Sequence, residues 1–186
     1  MISANNFRQG LVLLLDGQLY SVVDYSRVKP GKGGAYVRTK LKRMSDGNVM
    51  ERTFRSEERL EDVRLEYKSM QFLYKDGGLL YFMDNETYEQ QPLTAQQIGE
   101  DNTKFLAEGA SIKVGFHKND PVGVELPPSV ELQIVKTDPG VKGDTATGGS
   151  KPAELTTGYV VQVPLFIQEE EVIRIDTRTG EYLERA

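Results

Sequence analysis

"QLYSVVDYSRVKPGKGGAYVRTKLKR", Gln18 to Arg43, holds two runs that alternate apolar and polar residues around a proline- and glycine-rich break at Pro30 to Gly34. Alternation with a period of two marks half-buried strands, and the break between them reads as the tip of a hairpin. In the second run Ala35, Val37, Thr39 and Leu41 fall on one side, and Tyr36, Arg38, Lys40 and Lys42 on the other. With the apolar side packed inward, three cations line the outer face at intervals of about 7 Å, two strand residues apart. A strand needing only soluble outward residues would accept Glu or Thr equally well, so the uniform positive sign is the informative part. From Arg27 to Arg43 there are seven basic residues (Arg27, Lys29, Lys32, Arg38, Lys40, Lys42 and Arg43) and no acidic one. Such a run fits a polyanion site and also a solvated face, and charge alone leaves both open.

At the tip, Lys32 lies between Gly31 and the pair Gly33 and Gly34. A lysine becomes nucleophilic only when burial or neighbouring cations pull its pKa well below the usual ~10.4, and a glycine-flanked tip buries nothing. Lys32 is therefore expected to be a protonated point charge with three hydrogen-bond donors. Pro30 stiffens the approach, and the glycines permit turn geometries closed to other residues, so the ammonium projects clear of the strands. It would suit a narrow polyanionic cavity or the grasp of a modifying enzyme. On these residues alone an idle turn lysine is the plainer reading.

The turn signals at Asp16-Gly17, Pro30 to Gly34 and Asp46-Gly47 make residues 1–64 a meander of short antiparallel strands. A second unit starts near Tyr67, where "FLYKDGGLLYFMDNETYEQ" reads as a hairpin turning at Asp76-Gly77-Gly78. "TAQQIGEDNTKFLAEG", Thr94 to Gly109, is the helix candidate, in two short pieces with Gly109 as its stop. Pro127-Pro128 marks a boundary, because neither residue fits inside a central strand. The third unit opens with the alternating "SVELQIVKTD", breaks into a polar loop from Pro139 to Gly158, and resumes as strands in "YVVQVPLFI" and "EVIRIDT". The expected fold is mainly all-β, three tandem small barrels over residues 1–64, 65–127 and 128–186.

Several chemistries drop out. With no cysteine there is no disulfide framework and no thiolate metal or redox site, and one histidine, His117, makes no metal cluster. The glycine-rich loop lacks the Gly-Lys-Ser/Thr ending of a phosphate-binding P-loop. No nucleophile pairs with His117, and Glu169 to Glu171 reads as a solvated turn. Neither an enzyme nor a cofactor is expected. The N-terminal residues do not resemble a signal peptide, and "LVLLL" at Leu11 to Leu15 is too short to cross a bilayer, so a soluble cytoplasmic protein without a membrane partner is expected. The net charge of −5 is unevenly spread: residues 1–64 hold 12 Lys and Arg against 8 Asp and Glu, net +4, and residues 65–186 hold 11 against 20, net −9. For nucleic-acid binding this distribution matters more than the sum.

Longer segments resemble the bacterial elongation factor P family. "KPGKGGAYVRTKLK" is similar to its tip-loop segment, "FMDNETYEQ" to its middle hairpin, and "TDPGVKGDTATGGSKPAELTTGYVVQVPLFI" with "VIRIDTRTGEYLERA" to its third domain. The resemblance spans all three units in the family's order. It implies an SH3-like (KOW-type) barrel followed by two OB-fold barrels in an L-shaped arrangement, and a monomer that binds the ribosome and relieves stalling at consecutive prolines. It implies that Lys32 reaches toward the CCA end of the peptidyl-tRNA and is open to a lysine-modifying enzyme. It further implies that Arg38, Lys40 and Lys42, with Arg27, Lys29 and Arg43, meet tRNA or rRNA phosphates, and that Gly143, Asp144 and Thr145 approach the exit-site codon and small subunit. Two other readings stand beside it. One is a general single-stranded RNA-binding protein using Phe72, Tyr74, Tyr81 and Phe82 as stacking platforms. The other is the two-domain hypusine-bearing factor, against which the whole of Pro128 to Ala186 counts.

Overall fold

The computed structural model describes residues 1–140 and 149–186. Its strands form three sheets in succession along the chain. The first contains β1 (Ile2–Ser3), β2 (Val12–Leu15), β3 (Gln18–Val28), β4 (Tyr36–Arg43), β5 (Val49–Arg55) and β6 (Arg59–Val63), in the order β1-β6-β2-β3-β4-β5. Asp16 and Gly17, with φ of 50° and 77°, form the two-residue turn that sets Leu15 opposite Gln18. A bulge at Val23 separates the pairs Val22–Leu41 and Asp24–Lys40. Before it Tyr20 and Val22 serve the core; after it Tyr25 does, which leaves Asp24 and Ser26 outward. The core gathers Phe7, Leu13, Val22, Val37, Leu41 and Phe54, with the Phe7 and Phe54 rings edge to face at 5.6 Å. Thr39 is buried in the same row, and its hydroxyl has no partner among the described residues.

The second sheet contains β7 (Glu66–Asp76), β8 (Leu79–Asp84), β9 (Gln90–Thr94), β10 (Ser111–His117) and β11 (Asp120–Glu125). The third contains β12 (Ser129–Thr137), β13 (Ser150–Leu155), β14 (Val160–Pro164), β15 (Val172–Asp176) and β16 (Tyr182–Arg185). Their orders, β11-β10-β7-β8-β9 and β14-β13-β12-β15-β16, are the same permutation, with the first strand central and flanked by the second and the fourth. In the third sheet β14 also approaches β16, which closes the barrel. This is the strand order of the five-stranded OB barrel, so the expected fold class stands.

The two short helical pieces stand as expected, while the stop of that segment and the reading of the third-unit loop change. The helical segment is two single turns, α1 (Ala95–Ile98) and α2 (Glu100–Thr103). Thr94 and Gln97 form a capping box that starts α1, Gly99 at φ 93° ends α1 and begins α2, and α2 closes at Lys104, so Gly109 is not the stop. The stretch from Pro139 to Gly158, read as one long loop, contains β13. Glycines and Pro152 disguised it, yet Pro152 lies one residue past the end of the β12 ladder, where Thr137 faces Ala153, so its missing N–H removes no bond on that side.

Contacts group the chain into two compact units, residues 1–68 with 114–124, and residues 69–113 with 125–186. In the second unit Phe105, just after α2, is buried in the core of Leu132, Ile134, Leu155, Ile167 and Ile173. Tyr159 meets Phe105 edge-on at 5.8 Å, and its hydroxyl donates to the Gly180 carbonyl at 2.8 Å.

Candidate nucleic-acid interface

The pairing of β3 with β4 runs from Tyr20–Arg43 up to Val28–Tyr36 and ends there, leaving residues 29–35 as the tip loop. Its exit is pinned where Ser56 N–H donates to the Ala35 carbonyl at 3.0 Å. Lys29 through Gly34 are all exposed. Lys32 has no hydrogen-bond or ion-pair partner among the described residues, so its ammonium is uncommitted. Of the flanking glycines, only Gly33 takes a conformation that side chains avoid, at φ 115°, with Pro30 Cγ 3.7 Å from where a Cβ would stand. Gly31 and Gly34 keep ordinary φ in open space, so the geometric requirement narrows to one residue.

Below the tip, β4 buries Val37, Thr39 and Leu41 and exposes Arg38, Lys40 and Lys42, as alternation requires. The neighbouring strands then decide what each cation can do. Arg38 lies between Ser26 on β3 and Thr53 on β5, and Lys42 between Ser21 and Val49. Lys40 lies between Asp24 and Glu51 in the register, so it has a carboxylate-bearing residue directly opposite on each side. The cationic character is therefore concentrated at the two ends of the strand. Arg55 adds to the upper end: it is exposed on β5 directly opposite Tyr36, one outward step from Arg38. Sequence reasoning passed over Arg55 because nothing near it in the chain is strongly basic; counting back across an antiparallel β4–β5 pair would have found it.

Two of the expected contact residues are committed within the chain. Arg27 points to the core side, where its Nε donates to the Asn5 carbonyl at 2.8 Å and its Nη2 to the Phe7 carbonyl at 3.1 Å, with the guanidinium 4.8 Å from the Tyr25 ring centre. It fixes the short turn at Ala4–Asn6. Arg43 binds the Asp46 carboxylate at 2.9 Å and the Tyr20 hydroxyl at 3.4 Å. The Tyr20 hydrogen bond first, and then the Asp46 charge, raise its pKa further above the usual range. Gly143, Asp144 and Thr145 lie outside the described residues. Lys151 on β13 is buried and donates to the Asp138 carbonyl at 2.5 Å. Among the described residues no group of His, Cys, Asp or Glu is placed to hold a metal ion, and no helix is long and apolar enough to cross a membrane.

Comparison with known proteins bears on this site. Three family models cover the chain in succession: the elongation factor P KOW-like domain over residues 3–60, its OB domain over residues 65–124, and the elongation factor P C-terminal model over residues 130–185. Elongation factor P of Moorella thermoacetica is 55% identical over 186 residues, with all of both chains covered. That of Thermoanaerobacter sp. (strain X514) is 55% identical over 185 residues, again with full coverage of both. The chain belongs to the elongation factor P family. Membership makes it a translation elongation factor whose place of action is the ribosome. Among solved structures, a protein titled eukaryotic translation initiation factor 5A from Methanococcus jannaschii matches with a TM-score of 0.52 at 23% identity, over 68% of this chain and 90% of that one. At that identity the likeness speaks to fold alone.

Proposed function

We propose that this elongation factor P family member binds beside the peptidyl-tRNA and speeds peptide-bond formation at consecutive prolines by holding the CCA end of that tRNA with Lys32. The observation that carries the reading is the state of Lys32: an uncommitted cation at the end of a loop fixed on both sides by strand pairing. Proline is a rigid participant in peptide-bond formation, and the ribosome supplies the chemistry. Orientation of the reactants is then what a bound factor contributes. An ammonium with three rotatable donors suits the irregular phosphate and ribose oxygens near the reacting ester.

Lys29, Arg38, Lys42 and Arg55 then hold tRNA or rRNA phosphates, which fix position without reading sequence. Lys40 joins them weakly, because Asp24 and Glu51 flank it, and Arg27 and Arg43 act mainly through the turns they brace. The uncrowded tip also suits a lysine-modifying enzyme that extends Lys32. Residues 1–64, 65–127 and 128–186 act as three modules of a cytoplasmic monomer without catalytic residues or cofactor. Gly143, Asp144 and Thr145 approach the exit-site codon. The test is a reporter carrying a run of prolines, in a host whose own factor has been deleted. Wild-type protein restores its expression, Lys32→Ala does not, and normal rescue by Lys32→Ala would end the proposal.

A further inference from the structure

We propose that the outward side of β7 and β8, with the turn that follows β8, is a docking surface for a basic protein segment, with Tyr74, Tyr81 and Tyr88 as its contact residues. Phe72 and Phe82 of this hairpin alternate into the core, whereas Tyr74 and Tyr81 face each other across β7 and β8 on the other side. Their rings stack at 4.8 Å with 21° between planes, and Tyr74 keeps 44% of its surface exposed. Tyr81 is in turn paired with Pro92 on β9.

The turn at the end of these strands carries the second observation. Asp84 Oδ1 accepts the N–H groups of Glu86 and Thr87, and the Tyr88 N–H donates to the Asp84 carbonyl. The third sheet repeats this turn between β15 and β16: Asp176 Oδ1 accepts from Arg178 and Thr179, and the Gly180 N–H donates to the Asp176 carbonyl. The fifth position takes positive φ in both, 75° at Gly180 and 61° at Tyr88. One turn uses the residue that conformation favours. The other puts a bulky aromatic there, with 72% of it exposed and no partner for its ring among the described residues. The conformation favours glycine at that position, and no contact among the described residues accounts for the ring.

Charge identifies the class of partner. From Asp76 to Thr103 the chain carries six carboxylates and no lysine or arginine. An RNA strand stacking on these tyrosines would bring its phosphates against six carboxylates with Lys75, beside Tyr74, as the nearest cation in the chain. Arginines and lysines of a protein segment would instead lie over the tyrosine rings and pair with Glu86 and Glu89, a combination common in protein interfaces. The inference rests on the reading above only in taking the ribosomal particle as the source of that segment.

The test places p-benzoylphenylalanine at position 88 and irradiates the full-length protein bound to ribosomes carrying peptidyl-tRNA. The crosslinked product is expected to be destroyed by protease and to survive ribonuclease. In parallel, Tyr88→Gly should leave the thermal unfolding midpoint unchanged or raised while weakening ribosome binding about five-fold, the scale of one cation–π contact, and Tyr88→Phe should keep most of the affinity. A crosslink to RNA, or wild-type affinity for Tyr88→Gly, overturns this inference. If instead the paired variant Arg38→Gln/Arg55→Gln binds normally while the protein crosslink forms, the docking surface stands and the phosphate-facing role of β4 and β5 falls.

Discussion

Arg38 and Arg55 sit one outward step apart at the loop end of the first sheet, both exposed and without an ion pair among the described residues. Replacing both by glutamine removes two positive charges and no internal bond of either side chain, so stability should stay within about 0.5 kcal/mol of wild type. If each neutralises one phosphate, each loss lowers the slope of log affinity against log salt by about 0.9 on a duplex and about 0.7 on a single strand. Two contacts then amount to about 1.8 on a duplex. Between about 50 and 200 mM salt the wild type should lose about ten-fold more affinity than the double variant. The assay is a titration of labelled protein with ribosomes carrying peptidyl-tRNA at several monovalent salt concentrations and constant magnesium. Lys40→Gln alone should change the slope by less, since its register places Asp24 and Glu51 directly opposite it on the neighbouring strands. Parallel salt plots for wild type and the double variant would refute the phosphate contacts.

Three further outcomes follow from the structure. Thr39→Val should raise the unfolding free energy by about 1 kcal/mol, because it removes a buried hydroxyl with no described partner; an unchanged or lower value in urea unfolding would mean the hydroxyl is satisfied. Gly180→Ala should cost about 2 kcal/mol, since alanine disfavours φ 75° and its Cβ would stand 2.6 Å from the Tyr159 hydroxyl that bonds the Gly180 carbonyl. Hydrogen bonds to backbone N–H groups hold Asp46 and Asp176 below the usual carboxylate range, and the N-terminal ammonium does the same for Asp62. A carboxylate depressed in the folded state stabilises it fully above the unfolded pKa of about 3.9 and loses that contribution as pH falls through the folded value. Thermal midpoints should therefore fall below about pH 4, and less steeply in Asp176→Asn.

Much of the first sheet was legible in the sequence because a period of two is a local signal. Val37, Thr39 and Leu41 face the core as the alternation of Tyr36 to Lys42 requires. What the alternation could not convey was the company each outward residue keeps. Lys40 reads as one of three equal cations until the bulge at Val23 sets Asp24 beside it and the β5 pairing adds Glu51. Arg27 looks like a member of the basic run, yet the same bulge turns it toward the Asn5 and Phe7 carbonyls. Arg55 was invisible for the converse reason: its cationic neighbour is seventeen positions away in sequence and one strand away in space. Local composition also hid β13 behind the glycines that precede it and its own Pro152. At Lys32 the residues gave exposure and charge only, and the structure adds that the charge has no partner among the described residues. Its assignment to the peptidyl-tRNA came from family resemblance.

In the function proposed above, Lys32 orients a substrate and does little to anchor the protein. The most direct measurement is the rate of proline–proline bond formation on purified ribosomes at saturating factor, with binding measured in the same samples. The account predicts that Lys32→Ala binds within a few-fold of wild type, as loss of one exposed charge among several implies, yet gives no acceleration over ribosomes alone. Acceleration by Lys32→Ala equal to wild type at saturation would contradict it.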